Sequence, residues 1–229
     1  MITINEVTLK NYLLENDVYI MGNYFKKKKN DIDILNHIDI IINLQKILMG
    51  YHSVEKNSIL SEIGRRVDRI FVMTKKLDIG FNELNYYEKC VLDKVKKQLK
   101  RIEDIDYIDI YRRGMYKDEI CIERVDESNL RVVDQVEIGK IKKINFNIVE
   151  EDFINYLFKY KKKCNKDALR EYAKEYVRRS NLKKSSLQYI NLIVDMPCES
   201  LKYWYKNRYE WDEHSRDEFR LISDRELEF

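Results

Sequence analysis

The sequence is short of turn-makers: one proline, Pro197, and six glycines in 229 residues. Sheet-rich folds with many tight turns draw on more of both, so the scarcity predicts a mostly helical protein. No GxGxxG or GxxxxGKS/T occurs, which removes the common glycine-rich phosphate cradles. The four cysteines, Cys90, Cys121, Cys164 and Cys198, form no CxxC pair, so zinc-knuckle and dithiol chemistry find no support. Cys90, Cys121 and Cys198 lie near apolar residues and read as small buried hydrophobes, with free thiols in a reducing, cytoplasmic setting. His37, His52 and His214 are scattered without HxxxH or HExxH spacing, so no zinc site is expected. No GxSxG nucleophile signature is present. No apolar run approaches the roughly 20 residues of a membrane span. The start, MITINEVTLKNYLL, lacks the basic-then-apolar order of a signal peptide. Excess charge of one sign is also missing. Lys+Arg 43 against Asp+Glu 40 leaves +3, which argues against a dedicated nucleic-acid binder.

What is present is globular. Charged residues make up 36% and apolar residues 44%, enough for a real core under a solvated surface. Residues 7–16 read as a short helix and 17–22 as a strand ending at Gly22. Residues 25–33 read as a polar loop whose lysine run, 26–29, is expected to be a solvated face. Residues 34–52 carry Ile34, Ile38, Ile41, Ile42 and Leu48 at helical spacing, with Gly50 marking the end. A second helix is predicted over about 58–77. A third follows Gly80, with Asn82 as its cap. It turns Leu84, Tyr87, Val91, Val95 and Leu99 inward and Lys94, Lys96, Lys97 and Lys100 outward. The middle is β-rich: ICI (120–122), LRVV (130–133) and KIKKINF (140–146) predict two to four short strands. Helical stripes then resume. Phe153, Tyr156, Leu157 and Tyr160 form one, and Ala168, Leu169, Tyr172, Ala173 and Tyr176 another. Leu187, Ile190 and Val194 lead to Pro197, which should end or kink its helix. No repeat or flexible linker is visible, so residues 1–229 read as a single domain.

One helix, LKYWYKNRYEW (201–211), crowds Tyr203, Trp204, Tyr205, Tyr209 and Trp211 around Arg208. At helical spacing these cannot all face one core. They mark either a helix clamped into its own domain or an interaction surface for a protein partner or a second copy.

The order of segments carries a resemblance. DVYIMGNYF (17–25) looks like a hinge strand, and INLQKILMGYH (42–52) like the helix that follows it. CIERVDESN (121–129) has the length of a phosphotransferase catalytic loop. KINFN (143–147) sits where a metal-binding Asp-Phe-Asp segment belongs, and DMPCESLKYWYKNR (195–208) resembles a proline followed by an aromatic-rich helix. In this order the chain resembles the kinase-like superfamily of aminoglycoside phosphotransferases and choline kinases. More narrowly, it resembles the spore-coat-associated kinase-like proteins of spore-forming bacteria. The resemblance covers residue 17 onward. It implies a mainly α fold with a small β element (α+β): a kinase-like C-terminal lobe, with 1–16 as an added N-terminal helix.

The departures from that pattern define the expected function. Arg124 stands at the catalytic aspartate position, and a guanidinium stays protonated and accepts no hydrogen bond. Ile122 replaces the bracing histidine, and Asn145 replaces the metal-binding aspartate. Asn129 is retained. Asp126 lies three residues before Asn129, not five. Only 16 residues precede the hinge-like strand, too few for a nucleotide lobe. The expectation is a pseudokinase with no cofactor, metal or nucleotide. Its role is structural or scaffolding, in the mother cell during spore formation or in the spore coat. One alternative is a binding module that keeps an anion or nucleotide site at Arg124. Another is a helical regulator or nucleic-acid-binding protein. Apolar surface near Val18, Ile20 and Ile120 is expected to be covered, by helix 7–16 or by self-association.

Overall fold

The computed structural model describes residues 5–26, 33–51, 59–80 and 83–228. The readings at 27–29, His52 and Asn82 lie outside them. Among the described residues are ten helices and five short strands, so the protein is mainly α with a small β element. No described helix is long and apolar enough to cross a membrane.

Helix α1 (Asn5–Glu15) leads into β1 (Val18–Ile20). It packs on that strand, burying Leu9, Leu13 and Val18, and Tyr12 donates a 2.7 Å hydrogen bond to the Ile47 carbonyl. Ile120 is fully buried, so the apolar surface expected to need a cover has one within the chain. Helix α2 (Ile34–Met49) starts at Asp33, whose carboxylate accepts from the amides of Leu35 and Asn36, and stops at Gly50. Its buried stripe runs through Ile38, Ile41, Ile42 and Leu48, as the periodicity predicts, and continues through Leu44.

Helix α3 (Arg65–Gly80) begins later than the sequence pattern suggests. The amide of Phe146 bonds the Leu60 carbonyl and the amide of Glu62 bonds the Phe146 carbonyl, holding the chain extended there. Gly64, at φ +82, then makes the turn into the helix. Helix α4 (Tyr86–Glu103) is fixed by a capping box in which Asn85 and Glu88 exchange hydrogen bonds. On it Lys94 is not an outward lysine. Its ammonium is half-buried, donates to the Glu226 carbonyl at 2.8 Å, and is shifted down by burial.

Helix α5 (Tyr107–Tyr116) carries Arg113, which bridges Glu119 (2.8 Å) and Glu150 (2.6 Å). This ties the start of β2 (Ile120–Cys121) to α6 (Val149–Tyr160). Next come β3 (Leu130–Val132), β4 (Val136–Ile138) and β5 (Asn145–Phe146). β4 lies in the middle of a three-stranded sheet, parallel to β1 and antiparallel to β3. β2 and β5 form a separate antiparallel pair, with Cys121 opposite Asn145. The strand predicted over 140–146 shrinks to its last two residues, while Val136–Ile138 is an additional strand. Between them, Gly139 allows a close backbone approach: a Cβ there would meet the Asn23 carbonyl oxygen at 2.8 Å.

The remaining helices are α7 (Lys166–Arg179), α8 (Lys184–Val194), α9 (Cys198–Asn207) and α10 (Glu213–Leu227). Pro197 separates α8 from α9, where its missing N–H costs no helical bond. The buried apolar residues form one cluster running from Leu9 to Phe219.

Candidate functional site

The turn between β2 and β3 is held from below by α6. Asp152 accepts the amides of Ile122 (3.2 Å) and Glu123 (2.7 Å). Those bonds stabilise Glu123 in the left-handed region, at φ 63, which a residue with a Cβ ordinarily avoids. Burial pushes the Asp152 carboxyl up to about 7, although the two amides oppose the shift. Nearby, His37 Nε2 donates to the Val125 carbonyl at 2.6 Å and its ring stacks on Tyr156.

Asn129 is a fully buried brace. Its Nδ2 donates to the Arg124 carbonyl at 2.7 Å, and its Oδ1 accepts the Lys140 amide at 2.8 Å. Arg124 pairs through Nε with Asp126 (3.1 Å), donates through Nη2 to Ser128 (2.7 Å), and lies 4.0 Å from the centre of the Tyr24 ring. Asp126 is also paired with Lys159. Burial alone would raise the Asp126 carboxyl. Hydrogen bonds from Lys159 and Ser128, and the charges of Lys159 and Arg124, instead hold it down to about 2. Asp126 is thus held by Lys159, Arg124 and Ser128 together.

Beside this loop is a cavity of about 380 Å³. Five cations line it, Arg124, Lys140, Lys142, Lys143 and Lys159, against two carboxylates, Glu123 and Asp126. Lys143 is already paired with Glu62 and Glu123. Lys142 approaches the Tyr24 ring at 5.4 Å. Lys140 and Lys142 have no carboxylate partner among the described residues. Ile122 is buried on the wall of the same cavity.

Asn145 is elsewhere. It is buried on β5 and lines a second cavity of about 610 Å³ between α3, α6 and α9. The sequence pattern groups Arg124, Asn129 and Asn145 in one site. Arg124 lines the first cavity and Asn145 the second, with Glu123 and Asn155 lining both, and residues 139–140 lie against Asn129. Among the described residues no group of three or more His, Cys, Asp or Glu is placed to hold a metal ion.

The aromatic helix also differs from an exposed interaction face. Trp204 is fully buried, 5.9 Å from Trp211 and 5.5 Å from Phe219, ring centre to ring centre. Trp211 Nε1 donates to Glu88 at 2.7 Å. Tyr203 donates to Glu218, and the Tyr205 hydroxyl accepts from Lys76. Arg208 lies over both Tyr205 and Tyr209. Helix α10 packs against α9, and Tyr209, just beyond the end of α9 at Asn207, is the exposed aromatic of this segment.

Tyr24, Lys142, Lys159 and Asp152 escape the sequence reading. Asp152 had a signal: it precedes Phe153 on the strongest apolar stripe, where a carboxylate needs buried donors. The lysines look like solvated charges until β5 and α6 bring them to one place.

No family model matches the sequence, and no curated protein matches it.

Proposed function

We propose that the protein is a non-catalytic, kinase-like helical lobe that binds a phosphorylated or similarly polyanionic ligand beside Arg124. The observation that carries this reading is the charge of one cavity, five cations against two carboxylates in about 380 Å³. A confined surplus of positive charge concentrates anions more strongly than the same charges on open surface. Arg124 adds a planar donor array suited to phosphate oxygens, and its stacking on Tyr24 fixes its position.

The non-catalytic part of the reading rests on the same groups. Arg124 stands where the resembling enzymes carry their base, and Asp126 is committed to two cations. The scaffold reading is less favoured, because Trp204 and Trp211 are spent on the core and on Glu88. Spore formation and the spore coat enter as the setting that the sequence resemblance implies, with a phosphorylated partner or metabolite as the ligand.

Thermal unfolding with sodium tripolyphosphate, with ATP lacking Mg²⁺, and with sodium chloride at matched ionic strength tests the reading. Polyphosphates should stabilise the chain by about 2.7 kcal/mol at roughly a hundred times Kd, and chloride should not. Equal response to all three salts would overturn it.

A further inference from the structure

Mg²⁺ takes oxygen ligands in a near-octahedral shell, and proteins that hold it beside phosphates usually supply one or two carboxylates. The cavity at Arg124 has two carboxylates on its wall, and each is already committed to cations of the chain. Asp126 gives Oδ2 to Arg124 (3.1 Å) and to Lys159, and Oδ1 to the amide (3.1 Å) and the hydroxyl of Ser128. Glu123 gives Oε1 to the Lys143 ammonium at 2.6 Å.

Where a second carboxylate comes close to Glu123, the space between the two is filled. Glu62 and Glu123 both hold Lys143, at 2.9 and 2.6 Å. Arg65 pairs with the other oxygen of Glu62. A divalent ion enters between these carboxylates only by displacing Lys143. The ammonium therefore stands where a metal would need its protein ligands, as a fixed part of the chain. Lys140 and Lys142 line the same cavity without a carboxylate partner among the described residues. Three lysines within one short segment are thus placed to neutralise a bound anion.

We infer that this cavity takes its polyanion free of Mg²⁺, with Lys140, Lys142 and Lys143 neutralising the charge that the metal neutralises in solution, so that Mg²⁺ antagonises binding. The inference rests on the polyanion reading of the same cavity and names the form of ligand it accepts. A polyphosphate carrying Mg²⁺ brings less negative charge and sets a dication against five cations of the wall. The metal also covers phosphate oxygens that Arg124 and the lysines would contact.

The test is isothermal titration of the full chain with tripolyphosphate, once in EDTA and once in excess Mg²⁺ at matched ionic strength. Affinity should fall at least about tenfold in Mg²⁺, the worth of one charge-assisted contact. Lys143→Gln empties the space between Glu62 and Glu123 at a half-exposed position, so the variant keeps the fold. It should bind more weakly in EDTA and lose less affinity to Mg²⁺ than the natural protein does. Binding in EDTA that Mg²⁺ leaves unchanged or tightens overturns this inference and leaves the polyanion reading standing. An Mg²⁺ loss of the same size in Lys143→Gln overturns the role given to Lys143. Absence of binding in EDTA overturns both the inference and the reading beneath it.

Discussion

Asp152 on α6 accepts the backbone amide of Glu123 at 2.7 Å, and that bond sets the turn from which both cavities are built. Burial raises the Asp152 carboxyl to about 7, far above its unfolded value. A carboxyl with a raised folded pKa binds more protons folded than unfolded between those two values. Its contribution to stability is therefore complete below the unfolded pKa, near 4, and is lost as pH rises through about 7. Urea unfolding from pH 4 to pH 8 should show this decline in the natural protein and a flatter profile in Asp152→Asn. Parallel profiles would contradict the assignment.

Asn129 uses both ends of its amide inside the protein, bonding the Arg124 carbonyl and the Lys140 amide. Asn129→Ala should cost about 1–3 kcal/mol in urea unfolding, because two buried backbone groups lose partners. A loss under about 0.5 kcal/mol would mean the brace is dispensable.

Trp204 is buried on α9, whereas Tyr209, two residues past the end of that helix, is exposed. Trp204→Ala should destabilise by about 3–5 kcal/mol, as for other large buried aromatics. Tyr209→Ala should stay within about 0.5 kcal/mol. Differential scanning calorimetry distinguishes these outcomes, and equal losses would refute the packing described for α9 and α10.

Arg124→Asp combined with Asn145→Asp places carboxylates at the two positions that the sequence resemblance assigns to those of a phosphotransferase. The two residues line different cavities, so the double variant should still release no ADP from MgATP above the natural protein. Sustained ADP release from the variant would place both residues in one site.

Much of the helical frame was legible from periodicity. The apolar stripe of α2, the docking of α1 and the break at Pro197 follow from residue spacing and backbone chemistry. The start of α3 was not, because its delay depends on Leu60 and Glu62 pairing with Phe146, a contact across more than eighty residues. β4 was hidden in a polar stretch and becomes a strand through its pairing on both sides. Trp204 looked adhesive because α10, which covers it, carries few apolar residues beyond Phe219 to announce that role. Ile122, Arg124, Asn129 and Asn145 were legible as residues of interest. Their division between two cavities was not, because sequence order does not show that Asn129 closes on 139–140.

The central claim is that the loop beside Arg124 is a polyanion site. Isothermal titration with tripolyphosphate, comparing the natural protein with Lys140→Gln/Lys142→Gln, tests it most directly. Both lysines lack carboxylate partners among the described residues, so removing them should leave stability near its natural value. The account predicts saturable binding that weakens at least about tenfold in the variant and falls with added salt. Absence of binding, or equal affinity in both proteins, would contradict it.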